Sequence, residues 1–155
     1  MSNPSPHGTD VLIAGAGPTG LVLAIWLAEL GVKVRIVDKT AEPGTTSRAL
    51  AVTARTLESY QRLGLAEPLV EGGVKVAAAN LWVQGRKVAR LPFENLGDGL
   101  TPFPYPLIFP QDAHERVLIE RLEGLGITVE RQTELVRFEQ DRNGVHAALR
   151  RIDGG

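Results

Sequence analysis

The chain has 155 residues, enough for one ordinary domain or part of a larger one. Its 43% hydrophobic and 23% charged residues match globular averages and exclude wholesale disorder. The balance of 17 Lys+Arg against 18 Asp+Glu argues against a nucleic-acid-binding protein, and the absence of cysteine excludes disulfides, zinc–thiolate sites and thiol nucleophiles.

Residues 1–8 are polar and Pro-containing, and are expected to be a disordered leader. They lack the basic and apolar regions of a signal peptide. Val11-Leu12-Ile13-Ala14 is a short apolar run of the kind a central parallel strand shows. Gly15-Ala16-Gly17-Pro18-Thr19-Gly20 follows, then a helical stretch from Leu21 to Leu30 with Gly31 as its stop. This apolar stretch is interrupted by Glu29 and is too short for a membrane, which needs about 20 residues. A soluble, cytoplasmic protein without a membrane partner is therefore expected. Val32 to Val37 is a second strand, ending at Asp38, so strand, glycine turn, helix and strand form a βαβ unit.

Residues 41–48 are a polar loop, and Thr53 to Leu63 is a helix with Thr53 as N-cap and Gly64 as stop. Leu81–Val83 and Lys87–Leu91 flank Gln84-Gly85-Arg86 as a hairpin. Residues 94–110 are mostly loop, with an extended piece at Tyr105–Phe109. Pro110 leads into a helix from Asp112 to Glu123, and Ile127–Val129 is a third parallel strand. Thr133–Gln140 and Val145–Ile152 form an antiparallel hairpin around Asp141–Gly144. The predicted fold class is α/β: a Rossmann-like βαβ unit with a parallel sheet plus antiparallel hairpins, in an incomplete domain. Nothing after the last hairpin strand returns the chain to the sheet, and three parallel strands leave poorly covered edges.

The chemistry centres on Gly15-x-Gly17-x-x-Gly20. Gly15 permits the tight turn, Gly17 lets a pyrophosphate approach the backbone, and Gly20 lets helix and strand pack closely. The helix start offers unpaired N–H groups and a positive dipole end to phosphates. Asp38, 18 residues beyond Gly20, is placed to accept hydrogen bonds from ribose hydroxyls. This pattern predicts dinucleotide binding without choosing between NAD and FAD. His7, His114 and His146 lack ligand spacing and are read as structural or surface residues; Trp26 and Trp82 are read as core or sheet packing.

The phrase Gly15-Ala-Gly-Pro-Thr-Gly-Leu21, the strand end Ile36-Val37-Asp38-Lys39, Ser47-Arg48-Ala49-Leu50 with Ala54-Arg55-Thr56-Leu57-Glu58, and Pro110-Gln111 with Glu115 and Leu118 resemble the FAD-dependent aromatic hydroxylases. These are the class A flavoprotein monooxygenases, and the likeness is greatest to their phenol hydroxylase and polyketide hydroxylase branch. The resemblance implies an FAD-binding portion, residues 9–155, of an oxidoreductase that uses NADPH or NADH and O₂ to hydroxylate a small aromatic substrate. It implies that Gly15, Gly17, Pro18, Thr19 and Gly20 meet the pyrophosphate, and that Asp38 and Lys39 meet the adenosine ribose. Arg48 and Gln111 would approach the phosphate and ribityl region, and Leu135 the adenine. No catalytic side chain and no metal ligand is assigned. Alternative readings make Arg48 a solvated loop residue, and Gln111 or Asp112 a helix cap with Glu115 completing a capping box. The family's second and third flavin motifs are absent, so about half a flavin site is expected, inactive alone. The remaining alternatives are a non-catalytic dinucleotide-binding module, a structural remnant pairing with another chain, or an NAD-dependent dehydrogenase fragment. The last is disfavoured because the 94–110 loop and the 133–152 hairpin break βα alternation.

Overall fold

A computed structural model describes residues 8–44, 51–93 and 97–152. The chain divides into two compact units, one formed by residues 1–44 and 118–155, the other by residues 45–117.

In the first unit, β1 (Val11–Ala14) and β2 (Val34–Val37) pair in parallel, Val11 opposite Val34 and Ala14 opposite Val37. Helix α1 (Pro18–Glu29) connects them. It begins three residues earlier than the apolar pattern suggested, because Pro18 at its first turn has its φ preset and no N–H to leave unpaired. Leu30 caps it, and Gly31, at φ 75°, turns the chain out in the left-handed conformation glycine adopts without strain. Leu21, Ala24, Ile25 and Ile36 are fully buried. The third parallel strand expected at Ile127–Val129 shrinks to a single bridge, Glu130 opposite Val37. It is carried by Asp38 N–H to Glu130 O and Glu130 N–H to Ile36 O, both 2.9 Å. The chain then leaves the sheet at Gln132, which has φ 53°.

In the second unit, β3 (Ala51–Val52) and β4 (Val74–Lys75) flank β7 (Leu107–Ile108), both antiparallel to it. Between β3 and β4 lie α2 (Ala54–Gln61) and α3 (Ala66–Gly72). Thr53 caps α2 as expected, accepting from Thr56 N–H at 3.3 Å, and Gly64 ends that region at φ 71°. Helix α3 had no clear sequence signal, since Pro68 and Gly72–Gly73 mask its short apolar face. Strands β5 (Ala78–Val83) and β6 (Arg86–Pro92) form the expected hairpin. Trp82 does not reach a core: it is 59% exposed, and Leu81, Val83, Val88 and Leu91 are exposed as well.

Helix α4 (Gln111–Gly124) leads back to the first unit's residues. There β8 (Thr133–Asp141) and β9 (Gly144–Arg151) pair as the last hairpin, with a register shift between Leu135 and Arg137. Its turn is held by the Asp141 carboxylate, which accepts from Asn143 N–H at 2.7 Å and Gly144 N–H at 3.1 Å.

The β5–β6 turn places Gln84 at φ 47° and Gly85 at φ 73°, the two positive values a type I′ turn demands. Glutamine is costly there, whereas asparagine tolerates that region. Gln84→Asn is therefore expected to raise stability by up to about 1 kcal/mol. A lowered urea midpoint would contradict this turn geometry.

Candidate functional site

The first unit contains Gly15, Gly17, Pro18, Thr19, Gly20, Asp38, Lys39 and Leu135. Gln111 belongs to the second unit, and Arg48 lies outside the described residues.

The glycine turn departs from the end of β1. Gly15, at φ 110°, is in a conformation closed to other residues, and its N–H donates to Val37 O at 2.8 Å. At Gly20 a Cβ would lie 2.0 Å from Gly15 O and 3.3 Å from Ile13 Cγ2, so only glycine allows α1 to approach β1 this closely. Gly17 is different in kind. It sits in ordinary extended backbone, φ −75° and ψ 177°, and a Cβ there would meet nothing within 4 Å. Neither fold nor strain demands a glycine at position 17, and the space beside it is open. As N-cap of α1 it provides no side-chain cap, and the first turn holds no acidic residue. The helix start therefore keeps its positive end and uncapped N–H groups.

Asp38, one residue beyond β2, closes the turn from the other side. Its Oδ2 accepts the Ala16 N–H at 2.6 Å, and its Oδ1 accepts the Thr40 N–H at 2.8 Å and the Thr40 hydroxyl at 2.6 Å. Two carboxylate oxygens offer about four acceptor positions, so one remains, on Oδ2. Burial alone would push this carboxyl's pKa up; the Thr40 hydroxyl, the Ala16 and Thr40 N–H groups and nearby Arg131 together bring it below its ordinary 3.8. Lys39 is exposed.

The segment 130–133 grips the same end of β2. Thr133 N–H donates to Asp38 O at 2.9 Å, and Gln132 N–H to Thr40 O at 3.2 Å. Arg131 Nη1 stands 3.4 Å from Thr40 Oγ1 and 4.0 Å from Asp38 Oδ1. Leu135 is half-buried on β8, opposite Leu149. Just behind, Arg35 and Glu130 form a two-pronged pair at 2.5 and 2.8 Å, whose half-exposed side chains make its contribution modest.

In the second unit, Gln111 opens α4 and donates through Nε2 to Glu115 Oε1 at 2.8 Å. Glu115 is only 4% exposed, and its burial beside Gln111 had no sequence signal beyond the i, i+4 spacing. Asp112 pairs with Arg116 at 3.0 Å. His114 shares a 2.9 Å hydrogen bond with Tyr60 and packs edge-on to Phe109, which fits the structural role expected of it. Burial lowers the His114 pKa and lifts that of Tyr60 to about 12. Among the described residues, no three His, Asp or Glu side chains gather to hold a metal, and no helix is long and apolar enough to cross a membrane.

A parallel βαβ unit with this glycine turn and an acid at the second strand's end defines a dinucleotide-binding class of protein. The chain belongs to the FAD binding domain family, whose model matches residues 8–155. It is 43% identical over 148 residues to 6-methylpretetramide 4-monooxygenase of Streptomyces rimosus, which covers 96% of this chain and 26% of that protein. Pentachlorophenol 4-monooxygenase of Sphingobium chlorophenolicum is 34% identical over 146 residues, 93% of this chain and 27% of that one. Among solved structures, aklavinone-11 hydroxylase in complex with FAD and aklavinone matches with a TM-score of 0.79 and 27% identity, over 96% of this chain and 30% of that one. The anhydrotetracycline hydroxylase of Streptomyces rimosus matches at 0.75 and 35%, over 91% and 28%. The chain spans 26–30% of the length of such curated relatives.

Because Asp38 has a lowered folded pKa, its contribution to stability is fully present above 3.8 and is lost as pH falls through the folded value. Asp38→Asn can satisfy the Ala16 or the Thr40 donors with its one remaining acceptor oxygen, but not both. It should cost about 1–3 kcal/mol near neutral pH, with the gap to wild type shrinking only below pH 3.8. Urea unfolding at pH 7 and pH 3 tests this; an equal gap at both values would remove Asp38's charge from the account.

Proposed function

We propose that the first unit binds the adenosine–pyrophosphate half of FAD, within a monooxygenase that uses NADPH or NADH and O₂ to hydroxylate a phenolic or polyketide ring. The observation that carries this is Gly17: fold and backbone conformation leave its side chain optional, yet the position opens onto free space at an uncapped helix start. An anion meets N–H donors and the positive helix end there. Asp38 keeps one acceptor position for a ribose hydroxyl. The donor set therefore fits the cofactor. Thr19 and Gly20 would offer backbone N–H groups to the pyrophosphate, with Pro18 fixing the helix start and Gly15 the turn. Lys39 would sit at the ribose end, Leu135 beside the adenine, and Arg48 and Gln111 on the phosphate and ribityl region.

The flavin supplies oxygen activation and transfer; the chain's residues bind and orient it. None of them is assigned a catalytic role. The substrate class is supported by relatives named for 6-methylpretetramide and pentachlorophenol. On this reading residues 9–155 are the N-terminal part of the FAD-binding domain, and the 155 residues alone hydroxylate nothing. Substrate-dependent NADPH oxidation with coupled hydroxylation by the purified chain would overturn that.

Two glycine variants separate binding from folding. Gly17→Val should keep the melting temperature of the parent while weakening FAD and ADP by at least about tenfold, since its side chain fills the phosphate space. Gly20→Ala should instead lower the melting temperature, because its Cβ meets Gly15 O. Undiminished ADP and FAD binding by Gly17→Val in calorimetric titration would refute the proposal. Preference for ADP-ribose over FAD would favour a non-catalytic nucleotide module.

A further inference from the structure

Among the described residues Arg131 is the cation beside the Asp38 carboxylate, and its side-chain contacts leave most of its hydrogen-bonding capacity unused. Its side chain is only 19% exposed, yet its contacts are long: 3.4 Å to Thr40 Oγ1 and 4.0 Å to Asp38 Oδ1. Arg35, in the same unit, shows what a satisfied arginine looks like, with two parallel bonds to Glu130 at 2.5 and 2.8 Å. Arg131 thus pays for burial with little hydrogen bonding in return.

Its backbone is nonetheless held firmly. Glu130 is bonded on both sides to β2, and Thr133 N–H reaches Asp38 O. The Thr133 hydroxyl donates to Arg131 O at 3.0 Å. Gln132, next in the chain, is held at φ 53°, a conformation that costs a non-glycine residue about 1 kcal/mol or more and persists where surrounding structure enforces it. A strained, tightly bonded backbone therefore delivers a planar and under-used guanidinium to one side of Asp38. The glycine turn and helix start reach Asp38 through its other oxygen, by way of Ala16 N–H.

We propose that Arg131 is a further binding residue of this site, whose guanidinium packs against the adenine ring of the bound dinucleotide. The inference rests on the reading that the first unit takes the adenosine–pyrophosphate half of FAD. Along such a ligand the order is pyrophosphate, ribose, adenine. With phosphates at the α1 start and a ribose hydroxyl on Asp38 Oδ2, the base falls on the far side of the ribose from the turn. A guanidinium suits that partner because its flat face stacks on aromatic rings, whereas an ammonium has no such face.

The test is calorimetric titration of the protein with ADP and with FMN, which lacks the adenosine half, for wild type, Arg131→Ala, Arg131→Lys and Arg131→Met, with melting temperatures measured alongside. Arg131→Ala should weaken ADP by about tenfold and leave FMN unchanged, and Arg131→Lys should recover less than half of that loss, because charge without planarity does not stack. Should Arg131→Ala prove unstable, Arg131→Met, which keeps the length of the side chain but has neither charge nor a planar face, replaces it in the same comparison. Wild-type ADP affinity in Arg131→Lys would reduce the residue to a counter-charge for Asp38 and overturn the proposal. Unchanged affinity in Arg131→Ala or its replacement would overturn it too. Failure of the wild type to bind ADP would overturn the reading of the whole site, a result distinct from either.

Discussion

The hydrogen bond from Ala16 N–H to the Asp38 carboxylate is the constraint around which the first unit is arranged. It joins the middle of the glycine turn to the end of β2 across 22 residues and so couples the two. A bond to an ionised acceptor contributes more than a neutral one, typically about 1.5–3 kcal/mol, and this carboxylate takes three. The turn is thereby shaped before any ligand arrives. Ordering a loop at the moment of binding would subtract from affinity; here the ordering belongs to folding.

The same end of β2 carries a second constraint, from a segment more than 90 residues further along. Glu130 bridges Val37, while Gln132 and Thr133 bond to Thr40 and Asp38. These bonds offset the left-handed strain at Gln132. What would otherwise be a free strand end becomes a double-sided clamp, and the third parallel strand contracts to one bridge because the chain is diverted into that clamp. The bridge is short, but it sits where the site needs rigidity.

How legible this was depends on the kind of residue. The turn could be read because two of its glycines answer a local demand, φ 110° at Gly15 and a 2.0 Å approach at Gly20, and the third completes their spacing. Asp38 could be read because strand ends lie at predictable spacing. Thr53 announced α2, and Gln84-Gly85 announced a hairpin, for similarly local reasons. Arg131 could not be found this way. Its neighbours Asp38 and Thr40 are 93 and 91 residues away, and nothing in Glu-Arg-Gln-Thr marks one arginine out from others. Glu115 was marked at the start of its helix beside Gln111, but its burial was not, since burial is a property of the assembled unit. Trp82 lies on a sheet, one of the two readings given for it, but in no core, because its hairpin leaves it exposed.

Charge explains why Arg131 and Asp38 belong together. On the proposed reading, a carboxylate one hydrogen bond from the glycine turn would, by itself, repel the pyrophosphate drawn to the helix start. Three donors spread its charge, and a guanidinium 4.0 Å away offsets it. At that separation an opposite charge at an effective dielectric of 20 is worth about 4 kcal/mol before the cost of desolvation. Desolvation takes back much of it, because both side chains are largely buried. The net attraction is modest, but its direction matters: the acid can stay ionised to accept a ribose hydroxyl without opposing the phosphates beside it. On the proposed reading, this is how one short turn can receive a polyanion at one end and offer a carboxylate at the other.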